Sequence, residues 1–348
     1  MTTMKAIRYY GPQDVRVEAI DVPEAGAQEI RVKIDACAIC GTDLKAWRSG
    51  NPRMKVPQTM GHEFTGIVDT VGSEVQGFQN GDRVVMATSV SCGKCPYCRK
   101  GWTNLCLDLS PMGFGYAGGM AEYCVIPERA LSNGHVIKVP AHVTATHAAL
   151  AEPVSCAVNC LENCRIQNND VVVVIGAGPM GIINACVAQQ SGAAKVIMTE
   201  INPERLKQAE GFGFDRLVDP TQDDLTRVVM DCTDGLGADI VIVAAPAAAP
   251  QEQALHLVRK RGTVCLFASL PVDNRMLSID SRVIHYGEIR LVGTSDSTPD
   301  HVTKAVDVIA RGKMPCDKLV SHCMPLDDVI KALTLMMNGK TLRVALTP

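Results

Sequence analysis

Four cysteines, Cys92, Cys95, Cys98 and Cys106, follow one another as C-x2-C-x2-C-x7-C. Four thiolates this close in sequence reach one tetrahedral zinc ion at about 2.3 Å from a single loop and leave no coordination position open, so the chemistry they offer is structural. Lys94, Arg99 and Lys100 in the same loop would offset part of the charge of a tetrathiolate zinc. A loop of unpaired thiols and a [4Fe–4S] cluster are the other readings. Ferredoxin-type runs place the fourth cysteine differently. The chain holds 15 cysteines, an odd number, which speaks against a secreted disulfide scaffold and for thiols kept reduced, some of them on metal.

A second group of metal-binding residue types is dispersed. Cys40 stands in Cys37-Ala-Ile-Cys40-Gly-Thr-Asp43, His62 and Glu63 in Gly61-His-Glu-Phe-Thr-Gly66, and Glu152 in Ala151-Glu-Pro153. Singly, each has a plain explanation: a small buried hydrophobe, a satisfied polar group, an acid favoured at a helix N-terminus. A third motif is Gly176-Ala-Gly178-Pro179-Met180-Gly181, directly after Val171-Val-Val-Val-Ile175. That is G-x-G-x-x-G between a β-branched strand and a helix, the arrangement that seats a dinucleotide pyrophosphate. Glu200 ends the next strand, 24 residues after Gly176, where a carboxylate accepts ribose hydroxyls and repels a 2′-phosphate. Ile201 follows where a 2′-phosphate site would prefer a basic side chain, so the cofactor expected is NAD. Arg205 would cover the adenine side, or lie on a surface helix.

Taken together, Gly61-His62-Glu63-x2-Gly66-x5-Gly72-x2-Val75 and the Cys92–Cys106 loop resemble the zinc-dependent medium-chain alcohol dehydrogenase family, and Ala151-Glu152-Pro153 resembles its sorbitol and threonine dehydrogenase (polyol) branch. The resemblance spans the whole chain. It implies that Cys40 and His62 are ligands of a catalytic zinc, that Glu152 binds directly or through water, and that Glu63 is a neighbour able to swing onto the metal. Cys and His hold zinc firmly, and a free position takes an alcohol oxygen, whose proton is then more easily lost. Thr42 resembles the residue that takes the substrate proton; a hydroxyl that satisfies a turn is an equal reading of it. The relay's histidine is replaced by Lys45, a departure that weakens a threonine dehydrogenase reading. Trp47 could wall the pocket, although a core ring is the simpler expectation.

These residues need elements to hold them. Ile30, Val32 and Ile34 alternate as a strand before Cys40. Strands are expected at Lys195–Glu200, Arg216–Val218, Asp239–Ala244, Thr263–Phe267 and Ile289–Val292, with helices over Ile182–Gln190, Asn202–Gly211 and Ala249–Arg261 between them. Alternating strands and helices describe a doubly wound parallel sheet. The fold class is therefore α/β, a β-rich GroES-like catalytic domain (1–152 and 295–348) plus a Rossmann NAD-binding domain (153–294). A helix at Pro299–Arg311 and a strand at Thr341–Leu346 would return to the catalytic part. Cys156, Cys160 and Cys164 recur every four residues on one helix face and read as core packing, since one face cannot surround an ion tetrahedrally.

Composition agrees with such an enzyme. The chain has 348 residues, 47% of them apolar, and a formal net charge of −3. This argues against disorder and against nucleic acid or an anionic membrane as partner. Val171–Ala194 has no charged residue, but its glycines, proline and amides fit a strand, turn and helix better than a membrane span. No basic and apolar leader pattern precedes Lys5, so a cytoplasmic location is expected. The reading is an oxidoreductase that moves hydride from a secondary alcohol, an acyclic polyol of the sugar-alcohol kind, to NAD. A vicinal diol, a sugar-alcohol phosphate and L-threonine are the competing substrates, and a catalytically silent NAD-binding regulator is the alternative of another class. The resemblance also implies a homo-oligomer, tetramer or dimer.

Overall fold

The computed structural model describes residues 2–348. They divide into two units: residues 2–155 with Asp296–Pro348, and Cys156–Ser295. The first division falls inside the helix Ala151–Cys164.

In the second unit, six parallel strands lie in the order 3-2-1-4-5-6 counted along the chain, with Val171–Ile175 and Ala238–Val243 adjacent at the centre. This is the Rossmann arrangement, and its ligand crevice lies where the order reverses, at the carboxyl ends of those two strands. Val172, Val173 and Val174 are fully buried, as β-branched residues covered on both sheet faces should be. The turn after Ile175 leads into the helix Pro179–Gln190, with Gly178 as N-cap and Pro179 at its start, where a missing N–H costs nothing. A Cβ on Gly181 would collide with the Gly176 carbonyl, so the third glycine is what lets helix and strand approach. The uncharged stretch is thus a short strand, a turn and a twelve-residue helix. Among the described residues, no helix is long and apolar enough to cross a membrane.

One expected element is corrected. The helix over Ala249–Arg261 ends early: Ala248–Gln253 is helical, Ala254–His256 forms a 3-10 turn, and Val258–Leu266 is already strand. Val258 pairs with Ala238 and Thr263–Leu266 with Ile240–Val243, so sheet pairing overrides the helical character of the polar Arg259-Lys260-Arg261 stretch.

The first unit is β-rich. Its largest sheet joins Ile30–Ala38 to Glu63–Val71, to Tyr123–Ile126 and to the C-terminal strand Arg343–Thr347. The chain thus returns from the far end of the sequence to pair beside the residues that lead into Cys40. Inside this sheet lies a core that includes Ile7, Ile30, Ile39, Met60, Phe64 and Leu346. Trp47 belongs to that core, 9% exposed. Further out, a short ladder pairing Ser89–Val90 with Ser110–Pro111 closes the base of the cysteine loop.

Candidate functional site

The cysteine loop brings its four sulfurs together. All four sulfurs of Cys92, Cys95, Cys98 and Cys106 lie within 4.8 Å of one another. A zinc tetrahedron with arms of about 2.3 Å has edges of about 3.8 Å; Cys95 Sγ stands 3.4 Å from Cys98 Sγ and 3.9 Å from Cys106 Sγ. Backbone N–H groups of Cys92 and Asp108 donate to Cys106 Sγ at 3.2 and 3.3 Å. Backbone N–H groups of Cys98 and Leu107 pull the Cys95 thiol down to about 6. Spacing and local N–H donors both fit a structural zinc. His135 supports the loop from beneath. Fully buried, its Nδ1 sits 2.9 Å from the Ala87 carbonyl, and its Nε2 accepts from the Ser91 N–H at 3.2 Å.

The dispersed group also converges. Cys40 is the N-cap of the helix Gly41–Ser49, and its own N–H donates to Asp43 Oδ2 at 2.9 Å. This acid in the first turn, favoured there by the helix dipole, fixes the entry angle of the chain at Cys40. His62 sits at the start of the Glu63–Val71 strand, behind Gly61. Gly61 has φ +94°, and a Cβ there would stand 2.6 Å from both Cys37 Sγ and Met120 Cγ, so only glycine presents His62 in this place. One donor atom each from Cys40, His62 and Glu63 lies within 4.8 Å of the others. His62 Nδ1 is buried and lies 3.6 Å from Asp43 Oδ1, so this ring nitrogen faces a carboxylate, as in metal-binding histidines, and leaves Nε2 for a metal ion. Burial works against the imidazolium, but Asp43 and Cys40 outweigh it and raise the His62 pKa. Metal uptake would therefore release protons.

Glu63 does not hang free. Both of its oxygens accept from Arg343 Nη1 at 3.0 Å, and neither side chain is more than 2% exposed. Glu152 opens the helix Ala151–Cys164 and is partly buried. It lies outside the Cys40–His62–Glu63 group. Its carboxyl is pushed up to about 8 by burial and by the charges of Glu63 and Asp296, with His62 opposing. Asp296, with a side-chain oxygen within 4.8 Å of a Glu152 oxygen, is hydrogen-bonded to Ser89. Thr42 Oγ1 stands 3.7 Å from Cys40 Sγ, whereas Lys45 is exposed on the same helix. Sequence reasoning missed Asp43, Arg343 and Asp296 as neighbours of this group. The Asp43 signal was present as an acid three residues after an N-cap.

In the Rossmann unit, a Cβ at Gly178 would meet no protein atom within 4 Å, which leaves space for a nucleotide at the turn. Glu200 receives the Ala177 N–H on Oε2 and the Asn202 N–H on Oε1, both at 2.9 Å. Its carboxylate thus ties the glycine turn to the end of the second strand, with Ile201 exposed beside it. Met180 lies in the first turn of the helix Pro179–Gln190, and Arg205 on the helix Pro203–Ala209.

Residues 26–141 match the model of the alcohol dehydrogenase GroES-like domain, and residues 179–311 that of the zinc-binding dehydrogenase domain. Sorbitol dehydrogenase of Halalkalibacterium halodurans is 32% identical, covering 99% of both chains. L-threonine 3-dehydrogenase of Pyrococcus abyssi is 34% identical over 98% of this chain and 96% of its own. Among solved structures, a zinc-binding dehydrogenase of Sinorhizobium meliloti bound to NADP superposes with a TM-score of 0.93 at 29% identity, covering all of both chains.

Proposed function

Because the chain belongs to the zinc-dependent medium-chain alcohol dehydrogenases, we propose that it oxidises a secondary hydroxyl of an acyclic polyol with NAD as hydride acceptor. The observation that carries the reading is the convergence of Cys40, His62 and Glu63. A zinc ion held there would supply Lewis acidity to a substrate hydroxyl, and a bound nicotinamide would supply the hydride acceptor.

The chain's own residues do the rest. Cys40 and His62 would hold the zinc; Glu152, outside their group, would join them directly or through water. Asp43 sits beside the outer face of the His62 ring and keeps its orientation. Thr42, in the first turn of the helix that Cys40 caps, takes the hydroxyl proton. Glu63, tied to Arg343, holds its place beside His62. At the turn, Gly178 leaves room for the pyrophosphate, and Glu200 accepts the ribose hydroxyls, which favours NAD over its 2′-phosphorylated form. Arg205 would cover the adenine. In the first unit Cys92, Cys95, Cys98 and Cys106 would hold a second, structural zinc that would keep the loop folded.

The polyol assignment rests on the branch resemblance carried by Ala151-Glu152-Pro153 and on hydrogen bonding. Glu152 and Asp296 bring carboxyl groups near His62, and a hydroxyl-rich substrate can hydrogen-bond to them. The experiment is NADH formation by the zinc-loaded protein across C4–C6 polyols, vicinal diols, sugar-alcohol phosphates and L-threonine. Highest kcat/KM on a polyol is expected. A preference for the phosphates or for threonine would overturn the substrate class, and silence on every substrate would favour a regulatory role.

A further inference from the structure

Outside both zinc groups, three more sulfurs stand together. In the Rossmann unit Cys160 and Cys164, one turn apart on the helix Ala151–Cys164, meet Cys265 from the strand Val258–Leu266. Their Sγ atoms lie within 4.8 Å of one another, with Cys160 and Cys265 3.5 Å apart. All three residues are at most 2% exposed. A helix face alone cannot surround an ion, but a third sulfur from the facing strand makes a three-sulfur cup. Among the described residues no histidine or carboxylate joins the group.

Charge decides what fits that cup. Zinc asks for a fourth ligand that is not there. Three thiolates leave a net charge of −2 around a monovalent ion and −1 around a divalent one, and a buried charge must be paired to be tolerated. The cation at the edge is Arg290, whose Nη1 donates to the Cys164 carbonyl at 3.3 Å and to Thr263 Oγ1 at 3.2 Å, not to a sulfur. A trivalent thiophilic centre leaves no charge and needs no fourth ligand. Its hydroxide is a small neutral molecule, which can enter an apolar interior at lower cost than a hydrated ion.

We propose that Cys160, Cys164 and Cys265 form a binding site for trivalent arsenic, taken up from arsenous acid as a neutral three-sulfur adduct. Three S–H bonds and three As–O bonds break, three As–S bonds form, and three waters leave; arsenic stays trivalent and no electron moves. Where one sulfur begins as thiolate, one proton is taken from solvent. The S–H groups of Cys160 and Cys164 pull Cys265 down, which makes it the first nucleophile. The adduct staples helix Ala151–Cys164 to the fifth strand of the sheet.

The test exposes the zinc-loaded protein to arsenous acid and counts arsenic and zinc per chain by elemental analysis. One arsenic bound with both zincs retained is expected, and X-ray absorption should show three sulfur neighbours and no oxygen. Cys265→Ala should abolish uptake, and Cys232→Ala, outside the cluster, should leave it unchanged. Uptake that expels zinc would place arsenic on the Cys92–Cys106 loop instead and overturn the proposal. Absence of uptake, or uptake that persists in Cys265→Ala, would overturn it as well. Should Cys265→Ala fail to fold, Cys160→Ala serves in its place, and the wild-type zinc count alone separates the two locations.

Discussion

Glu63 is the side chain that gains most from its surroundings. A fully buried carboxylate is tolerated only if paired and hydrogen-bonded, and Arg343 satisfies both oxygens from 280 residues away. The attraction itself is weak evidence for stability, because both charges have been taken out of water. Breaking the pair is a different matter, since one uncompensated charge then remains inside. Arg343→Met is expected to lower stability by about 3–5 kcal/mol, read from the denaturant midpoint of the zinc-loaded protein. Adding Glu63→Leu should recover much of that loss. A double variant as unstable as the single one would show that Arg343 acts through packing instead. Glu63 was legible as a neighbour of His62; the partner that holds it was not, because nothing in the local sequence links it to Arg343.

Among the elements, the glycine turn and the strand ending at Thr199 act as one unit. The strand Val171–Ile175 pairs in parallel with Lys195–Thr199, and this register brings Glu200 under the turn, where it receives the Ala177 N–H. A charged hydrogen bond is worth about 1.5–3 kcal/mol, and about 1.4 kcal/mol is tenfold in an equilibrium. Glu200→Ala is therefore expected to lower the ratio of kcat/KM for NAD over its 2′-phosphorylated form by about tenfold or more, measured side by side with both cofactors. An unchanged ratio would leave Glu200 as a clamp on the turn without a role in cofactor choice. The turn was readable because its glycines, flanking strand and following helix are contiguous. The end of the Ala248–Gln253 helix was not, since Val258 becomes strand by pairing with Ala238, a contact that no window of local sequence contains.

For the whole molecule, the two zinc groups should separate function from stability. Elemental analysis is expected to find two zincs per chain. Cys40→Ala should keep one zinc and the fold while losing turnover. Cys98→Ala should lose the other zinc and lower the thermal midpoint, because a structural zinc contributes its binding energy to folding. Full activity in Cys40→Ala would contradict the metal assignment at its root. The largest sheet gives this prediction its basis: the strand before Cys40 is paired on one side with the His62 strand and on the other with the C-terminal strand. Losing one ligand thus leaves the ladder that positions the others.

What the sequence determined alone were the features whose parts lie close along the chain: the Cys92–Cys106 zinc loop, the glycine turn with its strand and helix, and the acid 24 residues on. Short spacing leaves the backbone few ways to place those groups, so residue type and interval suffice. Tertiary structure decided what depends on long loop closures. Arg343 under Glu63, Asp296 beside Glu152, and Cys265 against Cys160 and Cys164 are set by sheet pairing and packing. Those contacts exist only once the whole sheet has formed, and no local preference encodes them.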